Sequence, residues 1–167
     1  MSAADSRYHV LFLCTGNSAR SPMAEALLNT LGGDRFKAWS AGSRPAGFIQ
    51  PMAAELAAKL GYDPARLRSK HWDEFAGADA PRMDIVITVC DDAAGESCPV
   101  RVGEAATAHW GVADPAAVEG DEDSRRQAYV AAFALLRRRI ELLLSLPLDK
   151  LDRLVAQDRL RDIGRGA

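Results

Sequence analysis

Cysteine is scarce in this chain, with three residues in 167, at Cys14, Cys90 and Cys98. No two of them form the C-x2-C pair of common metal sites, and an odd count with no secretion signal argues against a disulfide framework. Reactive or redox thiols are the better reading. Charge of one sign is lacking too, because 21 Lys and Arg against 23 Asp and Glu leave a formal charge of -2, which gives no footprint for nucleic acid. Long hydrophobic runs are missing, and no window reaches the length that spans a bilayer. The stretch Met1 to Arg7 is polar and holds no apolar signal core, so the expected location is cytoplasmic. There is no internal repeat, low-complexity block or linker. What is present, 48% hydrophobic and 26% charged residues, is the make-up of an ordinary globular domain large enough to bury a core without metal or disulfides.

The most informative stretch is Val10 to Met23, V-L-F-L-C-T-G-N-S-A-R-S-P-M. The apolar run from Tyr8 to Leu13 does not alternate, so it predicts a central strand buried on both faces. It ends at Cys14. Six residues later stands Arg20, followed by Ser21 and Pro22, read as the cap and first position of a helix. A strand, a tight polar loop and a helix N-terminus make a cradle in which the N-H groups of Thr15, Gly16, Asn17, Ser18, Ala19 and Arg20 can turn inward around a tetrahedral oxyanion. Arg20 adds a planar fork able to bond two oxygens at once. Cys14, at the base of the same positive field, is expected to be an acidic thiol.

Beyond the loop, Met23, Ala24, Leu27, Leu28 and Leu31 recur at helical spacing up to Gly32-Gly33. Phe36 to Ala41 reads as a strand, and Pro51 to Leu60 as a helix stopped by Gly61. A short turn is expected around Trp72 to Ala76. Ile85 to Val89 is a second buried strand, and Cys90 ends it as Cys14 ends the first. Ala106 to Val112 holds a further strand, with Asp114 before Pro115 at its end. These alternations imply an α/β fold with a parallel sheet, whose ligands bind at the carboxyl edge. A long helix from Ser124 to Leu146 carries Tyr129, Phe133, Leu136 and Ile140 inward, with Ser124 as its cap. Arg125, Arg126 and Arg137 to Arg139 fall mostly on its solvated face. Leu148 to Ile163 reads as an amphipathic tail helix with Leu148, Leu151, Leu154, Val155 and Leu160 on one stripe, packed on the domain or a second subunit. The division is therefore a domain over 8–146 and a helical tail over 147–167.

The loop C-T-G-N-S-A-R-S, the strand ending in Cys90 with Cys98 after it, and the segment H-W-G-V-A-D-P together resemble the arsenate reductases built on the low-molecular-weight protein tyrosine phosphatase fold. The match runs from Val10 to about Leu142. It implies a four-stranded parallel sheet flanked by helices, to which this chain adds the tail helix. It also implies that Cys14 attacks arsenate, that Arg20 and the loop amides bind its oxygens, and that Asp114 protonates the departing oxygen. Ser21 is counted with Thr15 to Arg20 among the oxyanion-binding residues and is expected to hydrogen-bond Cys14, and Asn17 to hold the loop's shape.

In the scheme implied by the resemblance, Cys90 attacks Cys14 and releases arsenite, and Cys98 then resolves the disulfide. An external thiol reductant, thioredoxin first and glutaredoxin with glutathione second, recycles the pair. Such exchange implies a mobile segment from Asp91 to Ser97. No cofactor is expected to stay bound, and phosphate or sulfate would compete as oxyanions. Well-known members have one residue fewer between the second and third cysteines, and some carry a cysteine where Ala19 stands. Certain relatives bind potassium at positions corresponding to Asn17, Glu25, Ser40 and Asp73, although such residues more commonly serve as caps and turn formers.

The rival is a low-molecular-weight phosphotyrosine phosphatase using Cys14, Arg20 and Asp114, which leaves Cys90 and Cys98 idle. Ala116 and Ala117 follow Pro115, where that branch usually has aromatic residues. A metal module of Cys14, Cys90, Cys98 and His109 lacks the close ligand pairs such sites use.

Overall fold

The computed structural model describes residues 6–89 and 105–166, and every structural statement concerns these residues. Their strands are β1 (Tyr8–Cys14), β2 (Phe36–Gly42), β3 (Ile85–Thr88) and β4 (Ala106–His109). Their helices are α1 (Arg20–Leu31), α2 (Pro51–Lys59), α3 (Glu122–Leu144) and α4 (Arg153–Gly166). All strand pairs are parallel, in the order β2-β1-β3-β4, so the four-stranded sheet and flanking helices expected above are present.

The lack of alternation in β1 has its cause in burial on both sides. Val10 and Phe12 join the larger core with Ile87, Met23, Leu27, Leu136 and Ile140, while Leu11 and Leu13 turn to Trp72, Phe75, Met83 and Val86. The pleat sends successive side chains to opposite faces, and each face is covered.

Helix α3 begins two residues earlier than the spacing predicts. Asp121, not Ser124, is its cap, with the Asp121 side chain accepting the Ser124 N-H at 2.8 Å. Arg139 is likewise not on a solvated face. It is buried and donates to the Gly111 carbonyl at 2.9 Å, which stabilises an otherwise costly buried guanidinium.

The tail is shorter and turned differently from the expected helix over 148–163. Leu148–Lys150 forms a single 3-10 turn, and α4 starts at Arg153. Of the expected stripe, Leu148 and Leu160 enter the main core and Leu151 packs against it, whereas Leu154 and Val155 face outward and Ala156 and Ile163 are buried in their place. The phase is imposed by β4. Trp110 Nε1 donates to Leu160 O at 2.9 Å, and a side chain at Gly164 would collide with the His109 carbonyl and the Trp110 ring. On the outer side of β4, Gln157 Oε1 accepts the Thr107 N-H at 3.0 Å, and Arg161 Nε donates to Thr107 O at 3.1 Å. Helix side chains thus complete the hydrogen bonds of an edge strand.

Candidate active site

Cys14 is the last residue of β1 and pairs in register with Gly42, the last residue of β2. A side chain at Gly42 would collide with Thr15 O and sit 2.7 Å from Cys14 O, so only glycine lets β2 close against the loop. The loop's carbonyls are held outward. Thr15 O accepts from Arg44 N at 2.9 Å, Gly16 O from Ala46 N at 2.9 Å and Ser18 O from Gln50 N at 2.8 Å. On the inner side the Asn17 N-H points at Cys14 Sγ, 3.2 Å away.

Ser21 was expected to cap α1, and it does not. The helix begins at Arg20 after Ala19, with no side-chain cap, so Pro22 is the third helical residue rather than the first. Ser21 is wholly buried, its Oγ 2.8 Å from Cys14 Sγ. The direction of that bond follows from its neighbours. Asn17 Oδ1 accepts the Lys70 N-H at 2.8 Å, which turns the Asn17 amide nitrogen toward Ser21 Oγ at 2.9 Å. With its oxygen accepting from Asn17, the Ser21 hydroxyl keeps its hydrogen available to donate to a Cys14 thiolate. Asn17 itself is buried at φ 44°, a left-handed conformation that asparagine tolerates better than most residues.

The resulting cup is lined by Cys14, Gly16, Asn17, Ser18, Ala19, Arg20 and Asp114. Of the loop residues expected around an oxyanion, Thr15 and Ser21 are absent from this lining, and Ser21 acts on Cys14 from the protein side. Arg20 Nη1 donates to Val112 O at 3.0 Å, and its Nη2 lies 3.6 Å from Asp114 Oδ2. Asp114 Oδ1 accepts the Ala116 N-H at 3.0 Å, which opens the 3-10 turn Pro115–Ala117 and leaves Oδ2 toward the cup. The Asp114 side chain is 40% exposed and so open to solvent. Cys90 and Cys98, with the segment Asp91 to Ser97, lie outside the described residues.

Sequence reasoning reached Glu25 and Ser40 only as potassium positions implied by the resemblance, and missed Lys70 and Tyr62, which stand with them behind the loop. Glu25 is buried with both oxygens engaged, one by Ser40 Oγ at 2.8 Å and the other by the Tyr62 hydroxyl at 3.5 Å. Lys70 Nζ, also buried, lies 4.0 Å from Glu25 Oε1 and donates to Arg68 O at 2.9 Å. Burial pushes the Glu25 carboxyl up, against the pull of Lys70, Ser40, Tyr62 and Arg66. Burial likewise pushes Lys70 down, opposed by Glu25. The only local signal was the polar composition of S-K-H after a loop. The 53-residue separation between Asn17 and Lys70 carries none.

A cysteine and an arginine at the two ends of one strand-loop-helix turn, facing a carboxylate at the carboxyl edge of a parallel sheet, place this chain among proteins of the phosphatase-like α/β class. The sequence model described as low molecular weight phosphotyrosine protein phosphatase matches residues 9–157, and the chain belongs to that family. An arsenate reductase of Bacillus subtilis is 37% identical over 116 residues, covering 70% of this chain and 80% of the relative. Among solved structures, an arsenate reductase in the phosphate binding state superposes with a TM-score of 0.63 at 25% identity, over 83% of this chain and 97% of that one. A thioredoxin-dependent arsenate reductase of Corynebacterium glutamicum gives 0.55 at 26% identity, over 84% of this chain and 65% of that one. Among the described residues, no helix is long and apolar enough to cross a membrane.

Proposed function

We propose that the chain reduces arsenate to arsenite, with Cys14 as nucleophile. The observation that carries this reading is the pairing of Cys14 with donors from Ser21 and Asn17 on one wall of a cup whose other wall is Arg20 and Asp114. Donation to sulfur favours the thiolate, and Arg20 with the loop offers preorganised charge to a tetrahedral oxyanion. The thiolate attacks As(V), Asp114 delivers a proton, and one arsenate oxygen leaves as water, giving a Cys14 thio-arsenate ester. The Cys90 thiolate then attacks the Cys14 sulfur. The sulfur-arsenic bond breaks, its electron pair leaves with arsenic as arsenite, and a Cys14-Cys90 disulfide forms. Cys98 attacks Cys90, which frees Cys14, and an external dithiol of the thioredoxin type reduces the Cys90-Cys98 disulfide. The likeness to reductases over most of the chain supports this reading over hydrolysis. No resident cofactor enters this scheme, and phosphate or sulfate compete for the cup.

The test is a single turnover of fully reduced protein with arsenate and no reductant, followed by thiol counting and mass mapping. One arsenite released per chain with a Cys90-Cys98 disulfide supports the relay. Three surviving thiols with rapid hydrolysis of an aryl phosphate would make the chain a phosphatase. Cys98→Ser is expected to release one arsenite per chain and then stop, whereas continued cycling with thioredoxin would sink the three-thiol scheme.

A further inference from the structure

The resemblance raises potassium at Asn17, Glu25, Ser40 and Asp73, and the side chains do not suit it. Asn17 Oδ1 is engaged by the Lys70 N-H, and Ser40 Oγ donates to Glu25. The Asp73 carboxylate is 71% exposed and lies 3.2 Å from His71 Nδ1. Glu25 is the buried charge, and a buried cation already faces it: Lys70 Nζ at 4.0 Å, itself only 8% exposed. An ammonium and a potassium ion carry the same charge, and a buried carboxylate needs one such counter-charge.

Lys70 also reaches the loop through its backbone. Its N-H orients the Asn17 amide, the amide orients the Ser21 hydroxyl, and the hydroxyl meets Cys14 Sγ. The same residue therefore balances Glu25, on the second turn of α1, and fixes the chain of hydrogen bonds that ends at the nucleophile.

We propose that the Lys70 ammonium is a built-in monovalent cation behind the oxyanion loop, which makes oxyanion binding at the Cys14 cup independent of potassium and sodium. Lys70 is a positioning residue: it acts through Glu25, Asn17 and Ser21 and does not touch the bound anion. The inference rests on the oxyanion reading of the cup.

Calorimetric binding of inorganic phosphate to the full reduced chain, in potassium, sodium or tetramethylammonium chloride at equal ionic strength, tests it. The wild-type dissociation constant is expected to agree within about twofold across the three salts, a coupling close to nil. Lys70→Met is expected to bind about tenfold more weakly in tetramethylammonium and to recover in potassium, a cation-specific rescue that mere loss of structure does not produce. The double variant Glu25→Gln with Lys70→Met removes both charges and is expected to show no potassium response. It decides the matter together with the wild-type series if the single variant does not fold. Wild-type affinity that rises more than about fivefold in potassium, or a double variant that potassium rescues, overturns the proposal. Phosphate that fails to bind the wild type in every salt defeats the oxyanion reading instead.

Discussion

The Ser21 hydroxyl lies 2.8 Å from the Cys14 sulfur, and its oxygen accepts from the Asn17 amide, so its hydrogen is available to a Cys14 thiolate. A hydrogen bond to a charged acceptor contributes about 1.5–3 kcal/mol, so Ser21→Ala should lower the thiolate population by tenfold or more at mildly acidic pH. Alkylation of Cys14 by iodoacetamide measures this directly. The rate should fall about tenfold near pH 6 and recover as the pH is raised, because the thiolate is the reacting form. A variant as reactive as wild type throughout would show that Ser21 does not act on the sulfur.

Asp114 has one oxygen committed to the Ala116 N-H and the other directed to Arg20. Asp114→Asn keeps the first contact and removes the proton. Loss of a general acid costs about 10²–10⁴-fold, so kcat should fall into that range while the phosphate dissociation constant changes little. Steady-state kinetics paired with phosphate titration separates the two. A loss confined to binding would assign Asp114 to anchoring Arg20.

Glu25 holds its proton more tightly folded than unfolded, because burial outweighs Lys70, Ser40, Tyr62 and Arg66. Its contribution to stability is therefore fully present below its ordinary value of 4.5 and is lost as pH rises through the raised folded value. Urea unfolding from about pH 4 to 8 should show the wild type losing more stability with rising pH than Glu25→Gln does. Identical slopes would place the carboxylate in a more solvated setting than the one described here.

Gly164 sits inside α4, where alanine ordinarily stabilises a helix by about 1 kcal/mol. At this position the added methyl meets the His109 backbone and the Trp110 ring. Overpacking costs about 1–3 kcal/mol, so the clash should win and Gly164→Ala should lower Tm by a few degrees. Gly166→Ala, with open space around it, is the control and should be neutral or slightly stabilising. Equal melting temperatures would mean that α4 can shift off β4 at little cost.

The parts of this molecule legible from its sequence are those governed by near neighbours. The unbroken apolar runs before Cys14 and Cys90 marked β1 and β3, and the glycines after Leu31 and Leu60 marked helix ends. Cys14, Arg20 and Asp114 were legible as a set because each ends or begins an element at one edge of the sheet. The contact of Ser21 with Cys14 was foreseen and is present, but its reading as a cap failed because serine before proline carries the same local signal whether it caps a helix or enters one. Within the run Arg137 to Arg139, Arg139 shares the buried face of Leu136 and Leu143 at helical spacing, while the Gly111 carbonyl it meets lies 28 residues away in sequence. Leu154 and Val155 formed a more apolar stripe than Ala156, yet the fit of Gly164 against His109 set the rotation of α4. The Lys70 link to Asn17 was illegible for the same reason: it joins backbone to side chain across 53 residues.

The contacts of Gln157 and Arg161 with Thr107 bear on how copies of this chain meet in a concentrated solution. An exposed edge strand is a template for pairing with another molecule, and aggregation commonly starts there. Here the Thr107 amide and carbonyl are already taken, so pairing of another strand at Thr107 would have to displace Gln157 and Arg161 of α4. The helix thus covers this point of the sheet's edge. Shortening the chain at Leu151 would create a sticky molecule even where the Cys14 cup stayed intact.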